Sequence, residues 1–132
     1  MTLACEMRSH KRVLLVEDEV TLRGIIARNL SARGHTVLEA GTAREALACL
    51  SVDRPDLLLL DINLPDRSGW DVLREMRRLG RSIPVVIVSA VRANAARIEE
   101  FHPLAFLPKP FPLEALLRVV EQAPSREEES IS

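Results

Sequence analysis

Short apolar runs alternate with longer amphipathic segments along most of the chain. The runs have the length of strands and lie at Val13–Val16, Thr36–Leu38, Leu57–Leu60, Val85–Val88 and Ala105–Leu107. Helical patterns follow them in turn, at Val20–Arg33, Ala43–Leu50, Trp70–Leu79, Ala93–Phe101 and Leu113–Gln122. Leu57–Leu60 has no polar position, which is typical of a strand buried on both faces. Five such pairs of strand and helix predict a doubly wound α/β fold with a parallel sheet.

Residues with known preferences for helix ends support these boundaries. Thr42 can cap the second helix, and Pro112 fits the first turn of the fifth. Gly34 and Gly80 follow the first and third helices, where a left-handed residue commonly ends a helix. The fourth helix has few large apolar residues and runs into a His-Pro pair. We therefore expect it to be short or irregular.

Length and composition fit one globular domain. The 132 residues are 47% hydrophobic and carry a formal net charge of −1, which argues against disorder. Such a charge balance gives no strong attraction to nucleic acid or to an anionic membrane. We expect an N-terminal tail over residues 1–10, one domain over 11–123 and an acidic tail over 124–132.

The two cysteines, Cys5 and Cys49, lack the number of a disulfide scaffold and the spacing of a zinc site. We interpret both as free thiols in a reducing compartment. The N-terminus has no apolar signal-peptide region, and no stretch of the chain is long and apolar enough to span a bilayer. The sequence therefore predicts a cytoplasmic protein without membrane contact.

Polar side chains end three of the predicted core strands. Glu17 and Asp18 follow the first strand. Asp61 follows the third strand and Ser89 the fourth. Because open α/β sheets bind their ligands outside the carboxyl ends of the strands, these groups should share one crevice. Carboxylates brought together repel one another, so they either hold a proton or bind a cation.

Oxygen ligands of this kind select Mg²⁺ or a similar ion such as Mn²⁺, which keeps several waters and leaves positions for phosphate oxygens. Asp18 and Asp61 fit as direct ligands. Glu17 is longer and can act through a water molecule. Asn63 can offer its backbone carbonyl from the turn that follows Asp61.

Asp61 is the candidate nucleophile, because a carboxylate beside such a cation can attack a phosphoryl group. Lys109 follows the fifth strand and can pair with a carboxylate or with a phosphate oxygen. Ser89 can donate its hydroxyl to the phosphate. These residue types at these places point to phosphoryl transfer.

Taken singly, the same residues have common structural roles. A strand-end aspartate such as Asp61 often forms a turn, and Glu17 with Asp18 can simply open the helix near Val20. A lone lysine is usually a solvated loop cation, and a lone serine usually caps a helix. The joint order of the residues, each at the end of a core strand, favours one shared site.

That order resembles the receiver domain of two-component response regulators over Arg12 to about Gln122. The matching motifs are Val-Glu-Asp-Glu at Val16–Glu19, Asp-Ile-Asn-Leu-Pro at Asp61–Pro65 followed by Gly69, Ser89-Ala90, and Lys109-Pro110-Phe111. The resemblance implies a flavodoxin-like fold with five parallel strands in the order 2-1-3-4-5 and five helices.

The resemblance also implies a switch. A sensor histidine kinase or a histidine phosphotransfer protein would donate a phosphoryl group to Asp61 with Mg²⁺ present, and Ser89 would move toward it. Phe106 stands where the family couples an aromatic side chain to that movement, although it is equally well a core aromatic of the fifth strand. Asn63 and Val91 stand where the family tunes dephosphorylation.

The segment from Ser89 to Phe106 departs from the family pattern, since it is about two residues shorter than usual. Phe101–Leu104 replaces the common Gly-Ala turn, and we interpret His102 as a turn residue. The usual dimer of the family is therefore not carried over, although a homodimer stays possible.

Four functions are consistent with these observations. The leading one is a single-domain receiver that signals to an unknown downstream protein and catalyses only its own phosphotransfer and dephosphorylation. We expect no direct nucleic-acid contact, since no basic cluster follows Gln122. The second is a receiver cut from a longer regulator. The third is a small-molecule phosphatase, which typically needs an aspartate where this chain has Asn63. The fourth is a receiver that works without phosphate.

Overall fold

The computed structural model describes residues 10–124, so Cys5 and the residues after Pro124 lie outside the described part. The strands are β1 (Arg12–Val16), β2 (Thr36–Ala40), β3 (Leu57–Asp61), β4 (Val85–Ser89) and β5 (Ala105–Pro108). The helices are α1 (Val20–Ala32), α2 (Ala43–Val52), α3 (Gly69–Arg78), α4 (Ala95–Phe101) and α5 (Leu113–Gln122). Every predicted strand and helix is present in the predicted order.

The five strands form one parallel sheet in the order β2-β1-β3-β4-β5, which confirms the predicted topology. In the register of the sheet, Val16 pairs with Leu60 and Asp61 pairs with Val88. The carboxyl ends of β1, β3 and β4 therefore lie at nearly the same height. This alignment brings the residues that follow or end these strands to one edge.

Hydrophobic side chains fill both faces of the sheet. Leu57–Leu60 is fully buried at every position, as the unbroken apolar run predicts. Alternate residues point to opposite faces, so Leu58 and Leu60 pack with α2 and α3, while Leu57 and Leu59 pack with α1 and α5. Because the central strands are packed on both faces, the positions of the residues at the ends of these strands are well defined.

The predicted helix ends are largely confirmed. Thr42 Oγ1 accepts a hydrogen bond from the Glu45 backbone N–H at 3.0 Å, so Thr42 caps α2. Gly34 and Gly80 have φ angles of +92° and +73°, in the region that favours glycine. Pro112 lies one position earlier than predicted, at the cap before α5 and outside its first turn.

The fourth helix is short, as predicted. It spans seven residues, none of them buried, and it begins two residues later than the sequence pattern indicates. His102 ends it with a φ of +48°, which confirms a turn residue. Its Phe101 stacks on the half-buried Trp70 of α3, with ring centroids 5.8 Å apart. Among the helices of residues 10–124, none is long and apolar enough to cross a membrane.

His35, just before β2, is buried with one ring nitrogen unpaired. Its Nδ1 accepts a hydrogen bond from the Lys11 backbone N–H at 3.1 Å, and the residue is only 5% exposed. Nε2 makes no hydrogen bond within residues 10–124. Because Nδ1 accepts, the neutral ring carries its proton on Nε2. Burial lowers the pKa of His35, and the nearby Lys11 charge lowers it further.

We expect His35 to lower the free energy of unfolding in mild acid. In the unfolded chain the ring takes a proton near its ordinary pKa of 6.5, whereas the folded protein resists protonation to lower pH. Between the two pKa values the unfolded state binds more protons, so the free energy of unfolding decreases as the pH falls. Urea unfolding of wild type and His35→Asn at about pH 7.5 and about pH 5.5 measures this difference. Equal losses in both proteins would contradict it.

Candidate functional site

Lys109 joins the two buried carboxylates of the crevice. Its Nζ donates to Glu17 Oε1 at 2.8 Å and to Asp61 Oδ2 at 3.0 Å. The Lys109 side chain is 20% exposed, while the side chains of Glu17 and Asp61 are 1% and 5% exposed. Lys109 is therefore a partly buried counter-charge to both carboxylates and not a solvated loop cation. It brings residues from three separate strand ends into one hydrogen-bonded group.

The pKa shifts follow from this pairing. Burial raises the pKa of the Glu17 carboxyl, and the hydrogen bond from Lys109 opposes that shift without cancelling it. Burial alone would lower the pKa of Lys109, but its hydrogen bonds to Glu17 and Asp61 outweigh burial and raise it. Lys109 therefore stays positively charged next to the carboxyl groups of Glu17 and Asp61.

Asp18 completes a triangle of acids with Glu17 and Asp61. One carboxylate oxygen from each lies within 4.8 Å of the others. Asp18 is exposed, whereas the other two are buried, so the triangle opens toward solvent on one side. An all-oxygen donor set with an open side fits Mg²⁺ or Mn²⁺, which keep waters beside a few carboxylates. These three residues are the ones that would hold such an ion.

The loop after Asp61 is folded back on the strand end. Asp61 Oδ1 accepts a hydrogen bond from the Asn63 backbone N–H at 3.0 Å, and the Gly69 N–H donates to the Ile62 carbonyl at 2.7 Å. Asp61 therefore does form the local turn that its position suggested. Its other oxygen, Oδ2, accepts from Lys109. Asp61 therefore forms the turn and also belongs to the acid cluster of Glu17, Asp18 and Asp61.

Ser89 is fully buried at the end of β4. Its Oγ accepts a hydrogen bond from the Val91 backbone N–H at 3.1 Å, and its carbonyl accepts from the Lys109 N–H at 2.8 Å. The cap of α4 is Asn94, which accepts from the Arg97 N–H, so Ser89 does not cap that helix. The serine instead links β4 to Lys109 through its backbone carbonyl.

The remaining predicted residues surround this group. Asn63 and Val91 are both exposed, and each donates its backbone N–H to the side chain two positions earlier. Phe106 is half-buried against the core on the α2 and α3 side, which agrees with a core aromatic. It pairs in register with Ile87, and Ser89 pairs with Pro108. Since side chains two apart share a face, Phe106 and Ser89 lie on the same side of the sheet.

Two contributors were not visible in the sequence pattern. Asp66 reaches from the loop after β3 to the start of α2, where its two oxygens accept from the Ala43 and Arg44 N–H groups at 2.9 Å each. The Ala43 hydrogen bond lowers the pKa of Asp66 more than any other cause. Arg23 of α1 donates to the Glu17 carbonyl at 2.8 Å. Asp66 and its partners are far apart in sequence, and Arg23 and Glu17 lie in different elements, so no spacing rule reveals either contact.

Known proteins with similar sequences are response regulators. Response regulator MprA of Mycobacterium ulcerans is 38% identical over 108 residues, which are 80% of this chain and 47% of that protein. The protein of the same name from Mycolicibacterium vanbaalenii is 37% identical over the same length. The chain thus spans about half the length of the curated relatives it matches.

Solved receiver structures share the fold. The CheY-like receiver domain protein of Methanospirillum hungatei has a TM-score of 0.80 and 27% identity, covering 92% of this chain and 98% of that one. Response regulator TrrA of Thermotoga maritima, crystallised with Mg²⁺ and BeF, has a TM-score of 0.75 and 26% identity, covering 86% and 98%.

A family model agrees with both comparisons. The model described as the response regulator receiver domain matches residues 13–121, which include every residue of the acid cluster and Lys109. The sheet order, the acid triangle and the partly buried lysine are thus found in a chain whose sequence matches the family over most of its length. The chain belongs to the response regulator receiver domain family.

Proposed function

We propose that the chain is a phosphorylation switch in two-component signalling, in which Asp61 accepts a phosphoryl group. The donor is a phosphorylated histidine of a sensor histidine kinase or of a histidine phosphotransfer protein. The observation that carries the proposal is the Lys109 ammonium, which lies within 3.0 Å of both Asp61 and Glu17 beside the exposed Asp18. This arrangement combines a nucleophile, a fixed positive charge and a set of oxygen ligands.

Each residue has a defined part in the transfer. An Asp61 oxygen attacks phosphorus, a P–O bond forms, and the P–N bond to the donor imidazole breaks with its electron pair left on nitrogen. Lys109 is placed to pair with a phosphoryl oxygen, and Ser89 to donate its hydroxyl to another. Mg²⁺, held by Glu17, Asp18, Asp61 and the Asn63 carbonyl, would offset the negative charge of the phosphoryl oxygens.

The switch would then act through protein contacts. Ser89 and Phe106 share one side of the sheet, so movement of the hydroxyl toward the phosphate frees space beside the aromatic ring. Asn63 and Val91, exposed on either side of the acids, would set the access of water that removes the phosphoryl group. We place the exchange in the cytoplasm, with a downstream protein as its target and with no other reaction catalysed.

The binding of Mg²⁺ and BeF by TrrA supports the ion in this proposal, since that protein shares the fold. The relatives named MprA are about twice as long as the matched region, and what their remaining part does is not assigned to this chain. The limits of the domain, residues 11–123 with a tail on each side, are likewise part of the proposal. The family model, over 13–121, lies inside them.

Intact-protein mass spectrometry after incubation with acetyl phosphate and Mg²⁺ tests the proposal. We expect one added phosphoryl group in the wild-type protein, and none in Asp61→Asn or in a sample without Mg²⁺. The acetate leaves as the P–O bond to Asp61 forms, so no kinase is required. Asp56→Asn is the matched control, because it removes a carboxylate just before β3 and should still be modified.

A failure to detect the adduct would be followed by a second measurement with beryllofluoride, which mimics the phosphoryl group without being lost by hydrolysis. Trp70 lies one residue after Gly69 at the start of α3, and its fluorescence reports on the loop that follows Asp61. A change on adding Mg²⁺ and beryllofluoride would indicate rapid dephosphorylation. No change in fluorescence and no adduct would overturn the proposal in favour of a receiver that works without phosphate.

A further inference from the structure

Arg23 connects the end of β1, where Glu17 and Asp18 lie, to the neighbouring strand β2. It lies in the first turn of α1 with its side chain 22% exposed. Its Nη1 donates to the Glu17 backbone carbonyl at 2.8 Å, and its Nε donates to Glu39 Oε1 at 3.2 Å. Glu39 belongs to β2, so one guanidinium group joins the end of β1 to the end of β2. An arginine makes these two bonds from separate nitrogens of a planar fork, whereas all the donors of a lysine lie on one nitrogen, which would have to approach both acceptors together.

The guanidinium group of Arg23 lies against Gly41, in space that is open because Gly41 has no side chain. A Cβ atom on Gly41 would lie 2.7 Å from Arg23 Nη1, which is closer than such atoms approach. The Gly41 N–H donates to Glu45 Oε1 at 2.7 Å, which holds this part of the chain in place. The groups near the added atom are the far end of the Arg23 side chain and, at 3.6 Å, Glu45 Oε1, so an alanine here would displace the guanidinium group without clashing with the backbone.

Both main-chain groups of Glu17 are then fixed. Its N–H donates to the Ala40 carbonyl at 2.9 Å, and its C=O accepts from Arg23. The peptide between Glu17 and Asp18 is planar, so fixing this carbonyl also fixes the direction in which Asp18 leaves the strand. The Glu17 carboxylate meanwhile pairs with Lys109 and accepts from the Glu19 N–H at 3.1 Å.

We propose that Arg23 is a positioning residue that sets the orientation of Glu17 and Asp18 toward the Mg²⁺ of the proposed function, on which this inference rests. Arg23 does so through a backbone carbonyl, and Gly41 provides the space for its guanidinium group. Residues that orient ligands in this way commonly change metal affinity, since a misdirected carboxylate binds less well.

The test is a calorimetric titration with Mg²⁺ of the wild-type protein, Arg23→Lys and Gly41→Ala, without any phosphoryl donor. Both variants keep the net charge, so changes in long-range attraction do not enter. We expect about tenfold weaker binding in each, the lower end of what orienting partners contribute. Arg28→Lys is the matched control, since Arg28 is exposed on the same helix and should leave the affinity unchanged.

A double variant separates positioning from other effects. If Gly41→Ala acts by displacing the guanidinium group, it should have little further effect once Arg23 is lysine, so the two changes should not add. Hydrogen exchange of the Glu19 amide in metal-free protein gives a second measurement, because that amide bonds to the Glu17 carboxylate. We expect faster exchange in both single variants and an unchanged rate in Arg28→Lys.

The outcomes separate the two proposals. If the wild-type protein bound no Mg²⁺, the proposed function would fail, and the role of Arg23 toward the ion with it. Wild-type binding together with wild-type affinity and exchange in both variants would overturn only the role of Arg23. Tighter Mg²⁺ binding in a variant that removes the charge, Arg23→Gln, together with unchanged binding in Arg23→Lys, would show that Arg23 acts by repulsion and not by positioning.

Discussion

Replacing Lys109 with methionine is expected to destabilise the metal-free protein by about 2 to 3 kcal/mol near neutral pH, somewhat less than the loss of a partner from a fully buried ion pair. The methionine keeps much of the volume of the lysine but leaves Glu17 and Asp61 facing each other without a cation. Two buried carboxylates without a counter-charge repel each other and lose hydration. Chemical unfolding with and without Mg²⁺ measures the effect.

Three features of the result identify this cause. The loss should be smaller at about pH 5 than at about pH 8, because protonation of a carboxyl removes the repulsion and a group with a raised folded pKa stabilises less as the pH rises. Saturating Mg²⁺ should restore most of the stability, since the ion replaces the missing charge. Adding Asp61→Asn to Lys109→Met should also recover stability, because one of the two acids is then gone.

Lys109→Arg is the matched control for charge. The guanidinium group keeps a positive charge in the crevice, so the protein should retain most of its stability. An equal loss in Lys109→Arg and Lys109→Met, independent of pH and of Mg²⁺, would mean that the packing of the lysine stem matters and that its charge does not.

Gly69→Ala is expected to cost about 3 kcal/mol of folding stability, the upper part of the range for overpacking a buried site. A Cβ atom on Gly69 would lie 2.6 Å from the Asp61 carbonyl oxygen and 2.9 Å from Ile62 Cα. These are backbone atoms of the strand end and of the loop after it, so they can move only by distorting the acid cluster. We therefore expect the proposed phosphorylation of Asp61 to decline together with stability.

Gly24→Ala provides the comparison for Gly69→Ala. Gly24 lies inside α1, and its nearest contact for a new Cβ atom is the flexible end of Arg28 at 3.4 Å. Alanine is the better helix former, so Gly24→Ala should raise the free energy of unfolding by about 0.5 to 1 kcal/mol. Thermal or chemical unfolding of both variants decides the matter, and a tolerated Gly69→Ala would show that the strand end can shift at little cost.

The sequence pattern predicted the strands and helices and a group of polar residues at the strand ends, and the resemblance to receiver domains predicted the strand order. Strands buried on both faces have no polar positions, and helices repeat every 3.6 residues, so local pattern indicates each element. In a parallel sheet the polar residues at the carboxyl ends lie along one edge, which is why the pattern predicts that Glu17, Asp61 and Lys109 lie close together. The prediction for Pro112 differs from the structure by one position, because local preference does not distinguish the cap of a helix from its first turn.

What the sequence by itself determined is therefore the order of strands and helices, the short α4 and the residues of the acid cluster. Only the tertiary structure decided that Lys109 bonds to both Glu17 and Asp61, and that Arg23 reaches Glu39 and the Glu17 carbonyl. It also decided that a side chain at Gly69 would collide with the backbone of Asp61. The physical reason is range. Strand and helix patterns arise from neighbours in sequence, whereas these contacts depend on how close separate strand ends approach once both cores are packed.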